Sequence, residues 1–210
     1  LFRSGGGIAV AGLTGQRSQG NGYRLSTTAG EIDCRNVVLA TGAWTDRAAA
    51  MFGIGMSVRL NVNTLSVTER IGQFMDNLVV THIAGKFTLK QFPNGSCILG
   101  GGFQGRGDKD SGRKELDLDQ LQENIRFQCS VVPQLRDATL LRSWVGFTAI
   151  AHDQKPTLGP MPGRPGLFFA FTTNAGFSMG PFAGRMVADA VLGRAMPELA
   201  RGWTPGRFAA

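Results

Sequence analysis

The chain has 210 residues, of which 42% are hydrophobic and 18% charged, and its formal net charge is +7 at pH 7. This composition is typical of a globular protein and excludes an intrinsically disordered chain. The dispersed arginines argue against a nucleic-acid interface, and the longest uncharged stretch, around Gly166–Gly184, carries too many glycine, proline and polar residues for a membrane-spanning helix.

The beginning of the chain predicts a small antiparallel meander, followed by a buried strand and a helix. Short β-type runs at Ile8–Leu13, Tyr23–Thr28 and Glu31–Cys34 are separated by polar, glycine-rich turns. Asn36–Thr41 is a continuous, largely apolar run, which is typical of a strand that is covered on both faces of a sheet. Trp44–Phe52 then has a helical composition.

The middle of the chain predicts a largely antiparallel sheet. Between Met56 and Gly102, strand-like runs alternate with turns. Asn94-Gly95 is the clearest hairpin signal, because it separates the runs Phe87–Phe92 and Cys97–Gly101.

A solvated loop and an amphipathic helix are predicted next. Gly105–Lys114 is charged and rich in glycine, which indicates a loop. Asp117 is placed to cap the following helix, and Pro133 to end it. The predicted apolar stripe of this helix consists of Leu118, Leu121, Ile125 and Cys129.

The last part of the chain returns to buried strands and a helix. Thr139–Ile150 is strand-like, Pro156–Gly166 is a loop, and Leu167–Phe171 is a second continuous apolar strand. A helix is predicted from Met179 or Pro181 to Leu192, with Phe182, Met186, Val187, Ala190 and Val191 on its apolar face. The pattern therefore predicts one nucleotide-binding type of layer that is interrupted by a second, antiparallel sheet.

Two short motifs indicate chemistry that their surroundings do not support. Gly100–Gly105 fits the glycine pattern of a dinucleotide site, but a charged loop follows where a helix should begin, so a glycine-rich strand exit is the better interpretation. Gly176–Gly180 fits the nucleophile turn of serine hydrolases around Ser178. Because both histidines, His82 and His152, precede Ser178, a hydrolase is kept only as a remote alternative.

The three cysteines, Cys34, Cys97 and Cys129, have wide and unrelated spacings and no histidines beside them. This pattern predicts free thiols in a reducing compartment, and therefore a cytoplasmic protein without a disulfide or a metal centre.

Four segments, taken in order, resemble the FAD-dependent D-amino acid oxidase superfamily, and most closely its sarcosine oxidase and glycine oxidase branch. They are NVVLATGAWTDR, KFTLKQFPNGSCILGGG, RSWVGFTAIAHDQKPTLGP and GLFFAFTTNAGFSMGPFAGRMVADAVLGR. The resemblance covers nearly the whole chain, and the first and last segments are the most specific.

The resemblance implies a mixed α+β or α/β fold. An incomplete FAD-binding layer, Rossmann-like and of the glutathione reductase type, would be interrupted by a mostly antiparallel substrate-domain sheet. Residues 1–50 and 148–210 would belong to the FAD-binding domain, with the last helix in the second part. Residues 51–147 would form the substrate-binding domain.

The resemblance also implies an enzyme that oxidises the C–N bond of an amino acid or an N-substituted amino acid, with hydride passing to non-covalent FAD. Two segments would contact the flavin: one after the first buried strand, and one that leads into the last helix. The first consists of Thr41, Gly42, Ala43 and Trp44, and the second of Asn174, Ala175, Gly176, Phe177, Ser178 and Met179. No catalytic residue is assigned.

Arg142 and Trp144 are the candidate substrate-binding residues. A guanidinium is the natural partner of a carboxylate because its planar fork matches the two oxygens. An equally good interpretation makes Arg142 a solvated strand residue and Trp144 a core residue. His152 beside Asp153 could act as a base, although such a pair in a loop is usually structural.

The chain departs from the family at several positions. The usual amino-terminal strand and glycine-rich turn are absent, and Ser178 stands where sarcosine oxidases carry a lysine. We therefore expect this chain to be the carboxy-terminal portion of a flavoenzyme that works with a missing amino-terminal segment or a partner chain and binds FAD weakly alone. The alternative is a non-catalytic subunit or interaction module of a flavoenzyme. The chain is also a candidate for assembly as a homo-oligomer.

Overall fold

The computed structural model describes residues 2–4, 7–9, 12–76, 79–82 and 86–208. The chain divides into two compact units. Unit 1 consists of residues 1–59 together with 149–210, and unit 2 of residues 60–148.

In chain order, the strands and helices are β1 (Phe2–Ser4), β2 (Gly7–Ala9), β3 (Leu13–Gln19), β4 (Gly22–Thr27), β5 (Gly30–Cys34), β6 (Val37–Leu39), α1 (Thr45–Met51), β7 (Val58–Arg70), β8 (Val79–His82), β9 (Phe87–Gln91), β10 (Ser96–Gly100), β11 (Arg106–Gly107), β12 (Lys114–Glu115), α2 (Leu118–Val131), β13 (Leu140–Ala151), β14 (Thr157–Pro160), β15 (Leu167–Phe171) and α3 (Gly176–Val191). Within the described part of the chain, none of these helices is long and apolar enough to cross a membrane.

A three-stranded antiparallel meander opens unit 1. Its strands pair in the order β3-β4-β5, which confirms the predicted meander. Its first strand is β3, not the predicted run Ile8–Leu13, of which residues 10 and 11 lie outside the described residues. The prediction missed β3 because most residues of this strand are polar. Gly20, with a φ of 53°, lies in the tight turn that connects β3 to β4.

The two predicted apolar strands of unit 1 lie next to each other. β6 and β15 are parallel, with Val37 opposite Leu167 and Leu39 opposite Phe169, and β14 pairs antiparallel on the other side of β15. One face of this sheet packs on the meander and α1. Its buried core consists of Tyr23, Leu25, Val37, Leu39, Ala48, Ala49, Phe52, Ile54, Met161, Leu167 and Phe169.

Helix α3 covers the other face of this sheet. Ala183, Met186 and Val187 are buried against Leu158 and Phe168. The helix begins earlier than predicted, at Gly176, so Pro181 lies inside it. Phe182 is 43% exposed, which corrects its predicted place on the buried face.

Unit 2 is built on a five-stranded sheet with the strand order β13-β7-β10-β9-β8. The predicted hairpin is confirmed: β9 and β10 pair antiparallel, and Gly95, with a φ of 90°, closes the turn by donating from its N–H to the carbonyl of Phe92. The predicted loop Gly105–Lys114 contains only a two-residue ladder between β11 and β12. Strand β11, and not a helix, begins directly after Gly100–Gly105, so this segment is the glycine-rich strand exit that was predicted.

Helix α2 lies against one face of this sheet, and Asp117 caps it as predicted by accepting from the N–H of Gln120. The predicted stripe is wrong at Leu118, which is 71% exposed. Asn124 and Gln128 are buried instead, and their amide groups donate to the carbonyl of Gly100 at 3.2 and 2.7 Å. The helix therefore anchors the end of β10 through polar contacts as well as apolar ones.

Candidate functional site

The parallel pairing of β6 with β15 brings two predicted flavin-contacting segments to one edge of a sheet. Neighbouring parallel strands end at the same edge, so the turn after β6 and the turn after β15 lie side by side. The first turn contains Thr41, Gly42, Ala43 and Trp44, and the second leads through Asn174 and Ala175 into α3. In open α/β sheets, ligands bind outside this carboxyl edge.

The turn after β6 is shaped by Gly42. Its φ of 54° favours glycine, and a Cβ at this position would meet no atom within 4 Å. The Thr45 hydroxyl donates to the carbonyl of Gly42 at 2.8 Å, and the N–H of Trp44 donates to the carbonyl of Thr41 at 3.0 Å. These two hydrogen bonds stabilise the turn. The space next to the Cα atom of Gly42 is open.

The turn after β15 is held in an unusual backbone conformation. Thr173 has a φ of 53°, and its hydroxyl accepts from the N–H of Ala151 at 3.2 Å. Such a conformation costs about 1–3 kcal/mol and persists only when its surroundings fix it. Here the bond to the last residue of β13 fixes the turn immediately before α3.

The beginning of α3 favours a negative charge. No side chain caps this helix, and its first turn contains no acidic residue. The first four N–H groups of a helix have no partner inside the helix, and they form the positive end of its dipole. Gly176, Phe177 and Ser178 are exposed, Phe177 to 99%. An electron-rich group could therefore approach these N–H groups without displacing the core.

The two predicted substrate-binding residues lie in unit 2, on β13. Arg142 is exposed, and its guanidinium carbon lies 5.3 Å from the centre of the Trp144 ring. Trp144 is half-buried, so it is not a fully buried core residue. A role for either residue in substrate binding stays a prediction.

The same strand carries two residues that the sequence did not single out. Because side chains alternate along a strand, Gly146 and Thr148 share the face of Arg142 and Trp144. Both residues line a cavity of unit 2. Alternation along the predicted strand Thr139–Ile150 was the signal that could have indicated them.

The carboxylate of Asp153 is paired with Arg207, and a role of His152 as a base stays a prediction. Arg207 forms a bidentate ion pair with Asp153: its Nε donates to Oδ2 at 2.6 Å, and its Nη2 donates to Oδ1 at 3.2 Å. Arg207 also donates to the carbonyl of Lys155 and to the hydroxyl of Thr157. Burial alone would raise the pKa of Asp153, but the hydrogen bonds and the charge of Arg207 outweigh it and hold the pKa below its usual value.

We expect Asp153→Asn to destabilise unit 1 by about 1 kcal/mol near neutral pH, because the ion pair is partly exposed. The folded-state pKa lies below the unfolded value, so the stabilisation is fully present above about pH 4 and is lost as the pH falls through the folded-state value. Thermal unfolding of both proteins between about pH 7 and pH 3 should therefore show a difference of about 2–4 °C that disappears in acid.

The control for this prediction is Asp137→Asn, which removes an exposed carboxylate outside the Arg207 network. It should change the melting temperature little at any pH. A difference between wild type and Asp153→Asn that stays constant down to about pH 3 would contradict the assigned ion pair.

The three thiols are free in the part of the chain that the structure describes. Burial raises the pKa of Cys34, Cys97 and Cys129, so they are protonated and poorly reactive near neutral pH. The same residues contain no group of three or more side chains that could hold a metal ion.

A family model described as FAD dependent oxidoreductase matches residues 3–190 of the chain. The chain belongs to this family of FAD-dependent oxidoreductases, the DAO family. Membership confirms the resemblance found in the sequence and favours redox chemistry over a serine nucleophile. Ser178 is accordingly interpreted as a residue of the first turn of α3.

Two relatives from the DAO family show how far the similarity extends. Glycine oxidase of Geobacillus kaustophilus (strain HTA426) is 29% identical over 176 residues, which are 83% of this chain and 45% of that protein. Sarcosine oxidase subunit beta of Rhizobium meliloti (strain 1021) is 26% identical over 183 residues, which are 87% of this chain and 43% of that protein. The chain thus spans about half the length of the relatives it matches.

Solved structures of DAO-type proteins share the fold. Glycine oxidase from Geobacillus kaustophilus superimposes with a TM-score of 0.78 at 24% identity, covering 94% of this chain and 52% of that one. L-proline dehydrogenase from P.horikoshii gives a TM-score of 0.76 at 24% identity, covering 95% and 54%. These likenesses confirm the predicted fold class, a Rossmann-like FAD-binding layer interrupted by a mostly antiparallel sheet.

The carboxyl edge of β6 and β15 fits the flavin end of the DAO family's cofactor. The space beyond Gly42 is open where a side chain would fill it, and the uncapped first turn of α3 offers N–H donors without a competing carboxylate. Reduced flavin is electron-rich at its pyrimidine end, so donors and a positive dipole are the complementary groups.

Proposed function

We propose that this chain contributes to an FAD-dependent enzyme that oxidises the C–N bond of an amino acid or an N-substituted amino acid. The observation that carries the proposal is the parallel pairing of β6 with β15, because it brings two predicted flavin-contacting segments, distant in the sequence, to one edge. The names of the relatives, which include a glycine oxidase and a sarcosine oxidase subunit, support an amino acid as the substrate.

Each segment has a physical task in this proposal. When bound, FAD would accept the hydride that leaves the carbon next to the amine nitrogen. The N–H groups of Gly176, Phe177 and Ser178 in the first turn of α3 would hold the pyrimidine end of the flavin and stabilise its negative charge, with Met179 beside them. Gly42 would let the backbone approach the cofactor closely, with Thr41, Ala43 and Trp44 beside it.

The substrate task falls to unit 2 in the same proposal. Arg142 would pair with the substrate carboxylate, and Trp144 would lie beside the bound molecule. Residues 51–147 would then be the substrate-binding domain, and residues 1–50 and 148–210 the FAD-binding domain. The three protonated, free thiols support a reducing, cytoplasmic setting.

A partner chain is part of the proposal. Two of the relatives are named as subunits, sarcosine oxidase subunit beta and hydrogen cyanide synthase subunit HcnC of Pseudomonas aeruginosa. We propose that this chain also acts with a further segment or chain that completes the cofactor site.

The test is a charge introduced at the beginning of α3, in the natural protein that contains this chain. Ser178→Asp places a carboxylate in the exposed first turn, where it opposes the negative flavin. We expect FAD affinity to fall about fivefold to thirtyfold, equivalent to about 1–2 kcal/mol. Flavin fluorescence titration measures the affinity, and anaerobic bleaching of the flavin by a panel of amino acids measures the oxidation.

Gln122→Asp is the matched control, because it makes the same charge change on an exposed position of α2. Its FAD affinity should equal that of the unmodified protein. Equal affinities for Ser178→Asp and Gln122→Asp would contradict the proposed flavin site. Full flavin occupancy without bleaching by any amino acid would favour the alternative, a non-catalytic subunit.

A further inference from the structure

The sheet of unit 2 carries a cavity of about 480 Å³. This volume lies within the range of small-molecule sites, roughly 300–1,000 Å³. The cavity is lined by Asn63, Thr64, Leu65, Phe87, Thr88, Gly101, Gly102, Gly146, Phe147 and Thr148.

The floor of the cavity is one face of the sheet. A Cβ on Gly100 would lie 2.9 Å from the Leu65 side chain and 3.8 Å from that of Thr88, so these two side chains share a face. Asn63 lies two residues before Leu65 on β7 and therefore points to the same side. Its amide donates to the Thr148 hydroxyl at 2.9 Å, which brings β13 into the same floor.

The lining of the cavity contains no charged side chain among the described residues. Three cations of unit 2 lie outside this lining and contact aromatic rings. The Lys114 ammonium lies 5.4 Å from the centre of the Phe147 ring, the Lys86 ammonium 5.2 Å from that of Phe103, and the Arg142 guanidinium carbon 5.3 Å from that of Trp144. A carboxylate or ammonium would therefore lose its hydration in the cavity without gaining an opposite charge.

Hydrogen-bonding capacity remains for an uncharged ligand. The Gln104 amide donates to Asn63 Oδ1 at 2.7 Å, and Asn63 donates in turn to the hydroxyl of Thr148. A hydroxyl that accepts one bond still has its own proton to donate. Leu65 supplies apolar surface beside this polar row, because it lies on the same face of the sheet as Asn63 and Thr148. The combination suits a group that is partly apolar and also carries a carbonyl or amide.

A small amino acid would leave most of the cavity unfilled. At about 30 Å³ per water-sized heavy atom, the five heavy atoms of glycine would fill about a third of it. The space exists because Gly102 and Gly146 leave it open: a Cβ on either residue would meet nothing within 4 Å. Gly146 has no left-handed backbone conformation, so the backbone itself does not require glycine there.

We propose that this cavity binds an uncharged, partly apolar substituent that carries a carbonyl or amide group. Given the proposed function, on which this part of the inference rests, the substituent belongs to the amine substrate, which is then bulkier than glycine. The binding chemistry of the cavity does not depend on turnover.

Benzamide is the probe for this chemistry, with benzoate and benzylammonium as charged analogues of the same size. Ligand-detected NMR on the chain, with and without FAD, gives the three affinities. We expect saturable binding of benzamide, and binding at least about tenfold weaker for both charged analogues, because neither finds a counter-charge. Benzoate that binds as tightly as benzamide would overturn the proposal.

Gly146→Val fills the cavity from the strand that forms its floor. Valine suits a strand, and its Cβ has room, so the fold should be retained. Benzamide affinity should fall at least about tenfold, because the side chain occupies the binding volume. Gly72→Val is the control, since a Cβ there also meets nothing within 4 Å but lies outside the cavity. Equal benzamide affinities for the two variants would overturn the assigned site.

Two further outcomes separate this inference from the proposed function. Benzamide bound in the cavity of a protein that oxidises no amine would uphold the cavity and contradict the proposed function. Amine oxidation that benzamide does not inhibit would uphold the proposed function and contradict the cavity as a substrate site. Displacement of benzamide by riboflavin, with shared sensitivity to Gly146→Val, would overturn the inference by assigning the cavity to the cofactor.

Discussion

Replacing Gly101 with alanine is expected to unfold much of unit 2. Gly101 has a φ of 116°, and a Cβ at this position would lie 2.1 Å from the carbonyl oxygen of Lys86 and 2.7 Å from the N–H nitrogen of Phe87. These backbone atoms cannot retreat easily, because Phe87 is only 1% exposed and begins the central hairpin strand β9. We expect a loss of at least about 3–5 kcal/mol, a large share of a typical stability.

Gly102→Ala separates the backbone strain from the steric clash. Gly102 has a φ of 84°, but a Cβ there would meet nothing within 4 Å. The free energy of unfolding of Gly102→Ala should fall by only about 1–2 kcal/mol, which is the cost of placing alanine in the left-handed conformation. Urea unfolding followed by circular dichroism measures both changes. Equal losses for the two variants would show that close approach to Lys86 does not restrict the Gly101 site.

Phe169→Ala is the second substitution with a large expected effect. Phe169 is 1% exposed, and it lies in the core that joins the meander, α1 and the parallel strand pair. Truncation of a buried phenylalanine leaves a cavity and costs about 3–5 kcal/mol of unfolding free energy. Because β15 positions the turn before α3, FAD affinity should fall together with stability.

Phe177→Ala is the matched control on the same strand-helix unit. The Phe177 side chain is 99% exposed, so its removal should change the unfolding free energy by less than about 0.5 kcal/mol. Urea unfolding of both variants, with the FAD affinity measured in parallel, tests the pair. A loss of stability in Phe177→Ala as large as that in Phe169→Ala would contradict the described packing of α3.

Local signals predicted the parts of the fold that local physics determines. Asn94-Gly95 forms the turn of its hairpin because left-handed conformations are easy for glycine, and Asp117 caps α2 because its carboxylate reaches the N–H of Gln120. The strand β3 escaped prediction because its register is fixed by β4 rather than by its own polar side chains. Leu118 was wrongly placed because the polar contacts of Asn124 and Gln128 set the orientation of α2.

The candidate site was predicted in its segments but not in its assembly. The apolar runs around Val37 and Leu167 indicated strands, and the small residues after them indicated turns near a ligand. The pairing of strands is a long-range property. The Gly146–Thr148 part of the cavity floor forms only when β13 meets β7. The pairing of Asp153 with Arg207 depends equally on a residue far along the chain.

The parallel pair of β6 and β15 has a consequence for synthesis of the chain. The partner of Val37 is Leu167, which is translated about 130 residues later. At the usual rates of translation, β6 waits on the order of 10 seconds for its neighbour. Until then its backbone edge is open to pairing with other chains. Slow, non-local closure of this sheet therefore makes nascent unit 1 a natural client for chaperones.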